Sequence, residues 1–268
     1  MSDQKIKVWL GLGSFLLVQA GSGPVLAGEH AQSPAMDAHA AAGHAAAGEG
    51  GEGGEAGYVS SDPDQTYAVN LLLMKGHLKA SQDLSALGFR ENALAHAMHP
   101  AAETYGNVAP ELEARHAAAF QQELDALVDS LTENVSDREL NAAYDAANQK
   151  IDAAMAVIDA DKRNSPAFTA ALALALLQQA GSEYAIGVED GVIVNLHEYQ
   201  DAGGFIAIAT ELLAGLDQTS PNLTAVMADL STLKSQINDS AKMPDKVTPA
   251  AEILSGVSRI ELKLNNIR

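Results

Sequence analysis

The sequence predicts an all-α fold, an antiparallel bundle of about seven or eight helices behind a signal peptide and a disordered low-complexity segment. Three observations predict it. Alanine and leucine dominate an apolar content of 47%, while aromatic residues make up only 4%, a balance that favours helices over strands. Apolar residues recur at helical rather than alternating spacing, as in Phe120, Leu124, Leu127, Val128 and Leu131. Helix-start signals recur as well: Asp62-Pro63-Asp64-Gln65, Ser136-Asp137-Arg138-Glu139, Ser165-Pro166, Ser220-Pro221 and Thr248-Pro249.

In chain order, residues 1–27 read as a secretory signal peptide. Lys5 and Lys7 form its positive start, Val8 to Ala20 its apolar centre, and Val25-Leu26-Ala27 its small-residue cleavage pattern. An uncleaved membrane anchor is the rival reading, but the apolar centre is short and broken by glycines, which favours cleavage. The expected location is the periplasm. From Gly28 to Gly57 the chain is mostly Ala, Gly, Glu and His, with too little to bury to offset its ordering entropy. Its His30, His39 and His44 can gather divalent ions loosely, and a plain spacer explains them equally. Residues 62–268 are then expected to form one helical domain, with helices near 63–87, 89–98, 109–134, 137–161, 166–189, 196–216, 221–238 and 249–266. The segment 166–189 is apolar on several faces and belongs at the centre. Val192 to Val194 is too short to found a sheet.

The formal net charge is −19 and the pI about 4.6. Removing Lys5, Lys7 and Asp3 with the signal would leave −20. Binding phosphates needs a basic face, so nucleic acid and anionic membrane surfaces are excluded as expected partners. Cations or a basic protein suit this field better, although acidity also serves solubility alone. The chain has no cysteine, which rules out disulfides, thiolate zinc sites and iron–sulfur clusters and moves hard or borderline metals forward. No stretch after the signal is long and apolar enough to enter a bilayer. G-x-S-x-G, H-E-x-x-H and P-loop patterns are absent.

Two groups of residues carry ligand chemistry. In the first, His96 and His99 lie three apart, Glu103 follows by four, and His77 sits beside Gly76 on the preceding helix. Proline disfavours a helical conformation in the residue before it, so a helix end near Met98 or His99 and a new turn from Pro100 are expected. Met74 and Met98 nearby open a copper alternative through thioether sulfur, with core filling as the plain reading. Surface or capping roles at a helix end are the plain reading of the histidines. The second group spans Glu183 to Asp201: Glu183, Glu189, Asp190 and Glu198, with His197, Asp201 and two tyrosines close by. Carboxylates suit hard cations, and iron also takes imidazole and phenolate. Local chemistry competes: Gly191 suits the left-handed position past a helix end, and Asn195 with Glu198 reads as a capping box with Val194 and Tyr199 as its staple.

The stretch EYAIGVEDGVIVNLHEYQDA resembles the EY…V.DG.V.N..EY repeat of periplasmic helical regions associated with high-affinity iron permeases. Glu183, Tyr184, Val188, Asp190, Gly191, Val194, Asn195, Glu198 and Tyr199 carry the resemblance. The exported helical layout with scattered His and Glu also looks like the imelysin-like iron-uptake proteins, but Gly76-His77-Leu78-Lys79 lacks their G-x-H-x-x-E motif. The resemblance implies a periplasmic component of iron acquisition or handling. The expectation is therefore a non-enzymatic metal-binding protein that presents iron, or secondarily copper, to an inner-membrane transporter. The alternative is a metal-free helical scaffold docking a basic partner protein. An enzyme would need a pocket with an open coordination position.

Overall fold

Asp62 opens the first helix as its sequence predicts: Oδ1 accepts from the backbone N–H groups of Asp64 at 3.0 Å and Gln65 at 3.4 Å, with Pro63 at the first helical position. The computed structural model describes residues 57–237, 244 and 246–267. The signal-peptide reading and the low-complexity run up to residue 56 lie outside the described residues. Among them the chain is an all-α bundle, as the spacing predicts. Its elements are α1 (Pro63–Ala86), α2 (Arg90–Met98), a π-helical turn (His99–Thr104), α3 (Tyr105–Ala114), α4 (Gln121–Thr132), α5 (Asp137–Met155) and the short α6 (Ala160–Arg163). There follow α7 (Pro166–Gly187), strands β1 (Val188–Glu189) and β2 (Val192–Ile193), α8 (Leu196–Ala214), α9 (Pro221–Ile237) and α10 (Ala250–Leu264).

Alanine-rich α7 buries residues on several sides, among them Leu172, Leu176, Leu177 and Tyr184, and occupies the centre. It packs most extensively on α8, while α1 lies against both and α10 covers α7 from another side. The α5 helix starts with a full capping box between Ser136 and Glu139.

Four expectations are corrected. The helix drawn over 109–134 is two helices, because the chain turns at residues 115–120 with His116 at φ 56°. No glycine or proline marks that break. Arg115 reaches back to α1, binding Asp64 Oδ1 at 2.5 Å and lying 4.5 Å from the centre of the Tyr67 ring. The predicted helix over 137–161 likewise ends at Met155, and α6 restarts after Asp159 caps it. The helix drawn to 189 stops at Gly187, where β1 and β2 form a two-residue antiparallel ladder. Asp190 and Gly191, at φ 51° and 74°, are the two central residues of its turn, so Gly191 serves a hairpin rather than a helix end. Finally, the helix end expected near Met98 is found there and a new turn follows, but the residue before Pro100 does not leave the helical region. His99 stays at φ −54°, ψ −56°, and the π-helical turn absorbs the proline.

Candidate metal centre

Three side chains from three helices meet at one carboxylate oxygen. Asp201 on α8 accepts at Oδ1 from Nδ1 of His77 on α1 at 2.7 Å and from Nδ1 of His96 on α2 at 2.9 Å. Asp201 and His96 are fully buried, and the His77 side chain is 14% exposed.

Glycines bring these helices together. A Cβ on Gly204 would stand 2.2 Å from the carbonyl oxygen of Gly76, so α8 touches the backbone of α1 there. A Cβ on Gly76 would collide with the Phe205 ring, which in turn stands edge-on to His77 at 5.0 Å. One residue past Gly76 and one turn before Gly204, His77 and Asp201 fall face to face. His96 enters from the last turn of α2. Pro100 has no N–H to give the His96 carbonyl, and the helix widens into the π-helical turn, a departure often found at functional sites. Inside it, Thr104 Oγ1 donates to the His99 carbonyl at 3.2 Å. His99 therefore stays beside the cluster, its ring 5.1 Å from His77 and 6.3 Å from His96. Exposed Glu103 stands 3.8 Å from His99 Nδ1.

The electrostatics follow from burial and pairing. Burial alone would raise the Asp201 carboxyl, but the charge and hydrogen bonds of His77 and His96 outweigh it and hold the group well below the usual carboxylate range. Burial also works to lower His96; the Asp201 hydrogen bond and charge, with help from Gln200 and Glu198, lift it above an ordinary histidine. His99 is lowered by burial first and then by His77, which favours the neutral ring.

Gln200 orients the second nitrogen of His96, with Nε2 and Oε1 2.9 Å apart. An amide oxygen there fixes the proton on Nε2 and leaves Nδ1 as the nitrogen able to bind a cation, the usual support for a ligating histidine. His77, His96 and Asp201 each offer an atom within 4.8 Å of the others. An octahedral ion about 2.1 Å from its ligands holds adjacent ligand atoms about 3.0 Å apart, close to the 2.7 and 2.9 Å found here. Two imidazoles with one carboxylate and open positions is the donor set typical of ferrous iron.

The second predicted group divides. Glu183 near the end of α7 is buried at 4% exposure; its Oε1 accepts from the Gln179 amide, and its carboxyl also shares a hydrogen bond with Glu198. Burial first, and then the adjoining Glu198 carboxyl, push Glu183 up to about 9. Glu198 on α8 is half-buried. Asn195 caps α8 alone through His197 N–H at 3.2 Å, and Val194 is exposed, so the expected box and staple do not form. Glu189 and Asp190 sit exposed on the hairpin, away from the three-residue cluster. Tyr184 and Tyr199 are core anchors: their buried rings lie 5.6 Å apart, and their hydroxyls donate to the carbonyls of Thr248 and Ile237. Met74 is buried in the apolar core, as its plain reading as core filler expects, and Met98 is 45% exposed.

Sequence reasoning placed Asp201 only among the neighbours of the second group and passed over Gln200. Their signal was helical phase: Asp201 follows His197 by four and Glu198 by three, positions that share a face. The His197 ring indeed stands edge-on to His96 at 5.5 Å.

Residues 159–267 match the family model of the iron permease-associated 4-helix bundle domain. The matched span holds α7, α8, α9 and α10, four long helices joined by the hairpin and two connections. It agrees with the resemblance read from Glu183 to Tyr199. Asp201, Gln200, Glu183 and Glu198 lie inside the span, whereas His77, His96 and His99 come from the helices before it. Comparison with curated proteins and with solved structures finds no match.

Proposed function

We propose that the protein is an exported, non-enzymatic metal-binding protein of the periplasm that holds iron and passes it to an inner-membrane transporter. The iron-permease-associated bundle in residues 159–267 supports the link to iron uptake. The charge of −19 fits a cationic cargo, and export rests on the pattern of residues 1–27. Among the described residues no helix is long and apolar enough to cross a membrane.

One observation carries the metal reading: a buried imidazole, a half-buried imidazole and a buried carboxylate from three helices converge, each imidazole Nδ1 2.7 or 2.9 Å from the same carboxylate oxygen. The cargo is ferrous iron, with His77 Nδ1, His96 Nδ1 and Asp201 Oδ1 as its ligands. A cation there takes the place of the imidazole protons that Asp201 now accepts, so uptake releases protons and weakens in acid. That dependence suits a carrier that must give its cargo up.

Anaerobic calorimetric titration of the full chain with Fe(II) tests this, with His30, His39 and His44 changed to alanine to silence the tail. A saturable site is expected that His77→Ala and His96→Ala each weaken at least tenfold. Identical isotherms for the parent and both variants would overturn the metal reading and leave the scaffold alternative.

A further inference from the structure

We propose that a second divalent cation binds between Glu183, Glu198 and the Oδ2 oxygen of Asp201, so that Asp201 bridges two metal positions. This rests on the first site being as described. Its basis is the buried Asp201 Oδ2 oxygen, which has no hydrogen-bond partner, beside a buried Glu183 carboxyl that shares a hydrogen bond with Glu198. Buried polar atoms are nearly always paired, and an unpaired carboxylate oxygen is the costliest exception. Asp201 Oδ1 already serves both imidazoles, so Oδ2 answers to a different partner.

The fold puts the needed groups in one patch. The hairpin joins the end of α7 to the start of α8 through a two-residue turn, which sets Glu183 beside Glu198. Glu198 and Asp201 are three apart on α8 and share its face. Glu183 and Glu198 share a hydrogen bond, and both lie within electrostatic range of the first site. Neither glutamate meets a lysine or arginine among the described residues. The three carboxylates do not converge as closely as His77, His96 and Asp201; a cation that displaces the Glu183 proton would draw them together.

The two positions differ in chemistry. The first takes two nitrogens and an oxygen. The second is all oxygen and suits a hard ion such as Mn(II) or Fe(II). Helical bundles build paired metal sites from carboxylates and histidines on facing helices in this way.

Mn(II) is a suitable probe because its resonance spectrum reports both count and coupling. In the full chain with His30, His39 and His44 replaced by alanine, two equivalents should bind. The second should attenuate the six-line signal of the first through the shared Asp201 carboxylate. Glu183→Gln and Glu198→Gln should each bind one equivalent and keep the unattenuated signal. Glu183→Gln replaces a buried carboxyl by an amide of the same shape, so a folding failure is not expected, and circular dichroism checks it. Saturation of the parent at one equivalent, or two equivalents in both variants, overturns the second position while the first site stands. No binding at all in the parent overturns both.

Discussion

Asp201→Ala is expected to destabilise the metal-free protein by about 3–5 kcal/mol and to abolish metal binding. The change removes the carboxylate that accepts from His77 Nδ1 and leaves the Nδ1 donor of His96 buried without its partner. The pH profile carries the same signature. Asp201 has a depressed folded value against an ordinary 3.8 unfolded, so its contribution is present above about pH 4 and fades as the solution is acidified further. His96 is shifted the other way, upward from 6.5. Its contribution is fully present below that value and fades as pH rises through the raised one. Urea midpoints from pH 3 to 9 measure both, and Asp201→Ala should lose the acid-side fall along with the stability. Asp201→Asn, which keeps the volume, separates loss of metal from loss of fold.

Glu183→Gln is expected to act in the opposite direction. The wild-type carboxyl titrates near 9 in the folded chain against 4.5 unfolded. Folding therefore gains from it only while the unfolded group is also protonated. Above pH 4.5 the unfolded chain releases the proton and the folded chain retains it, so stability falls steadily until about pH 9, at up to about 1.4 kcal/mol per pH unit. Glutamine does not titrate. The variant should show a flatter profile across that window and exceed the wild type by about 2–4 kcal/mol at pH 8. Parallel profiles would contradict the buried, protonated state of Glu183.

Much of the fold was legible in the sequence because its caps are local. Asp62, Ser136, Ser165 and Asn195 each accept from backbone N–H groups two or three residues on, and that chemistry is written in consecutive letters. The break after Ala114 was not legible, because its cause is Arg115 reaching Asp64 and Tyr67 on a distant helix. The site was half legible for the same reason. His77 and His96 could be picked out as residue types near a helix junction. That their partner is Asp201, 124 and 105 residues away, depends on the close approach of Gly76 and Gly204, and no local pattern records which glycines will touch. The EY motif pointed to the right helices for a different reason than ligand chemistry: its tyrosines tie α7 and α8 to the backbone at Thr248 and Ile237, and its glutamates line the patch beside Asp201.

The most direct measurement is anomalous diffraction at the iron edge from crystals grown anaerobically with Fe(II). The account predicts a peak within bonding distance of His77 Nδ1, His96 Nδ1 and Asp201 Oδ1. Iron found only on exposed surface carboxylates, with the Asp201 hydrogen bonds to both imidazoles intact, would contradict it.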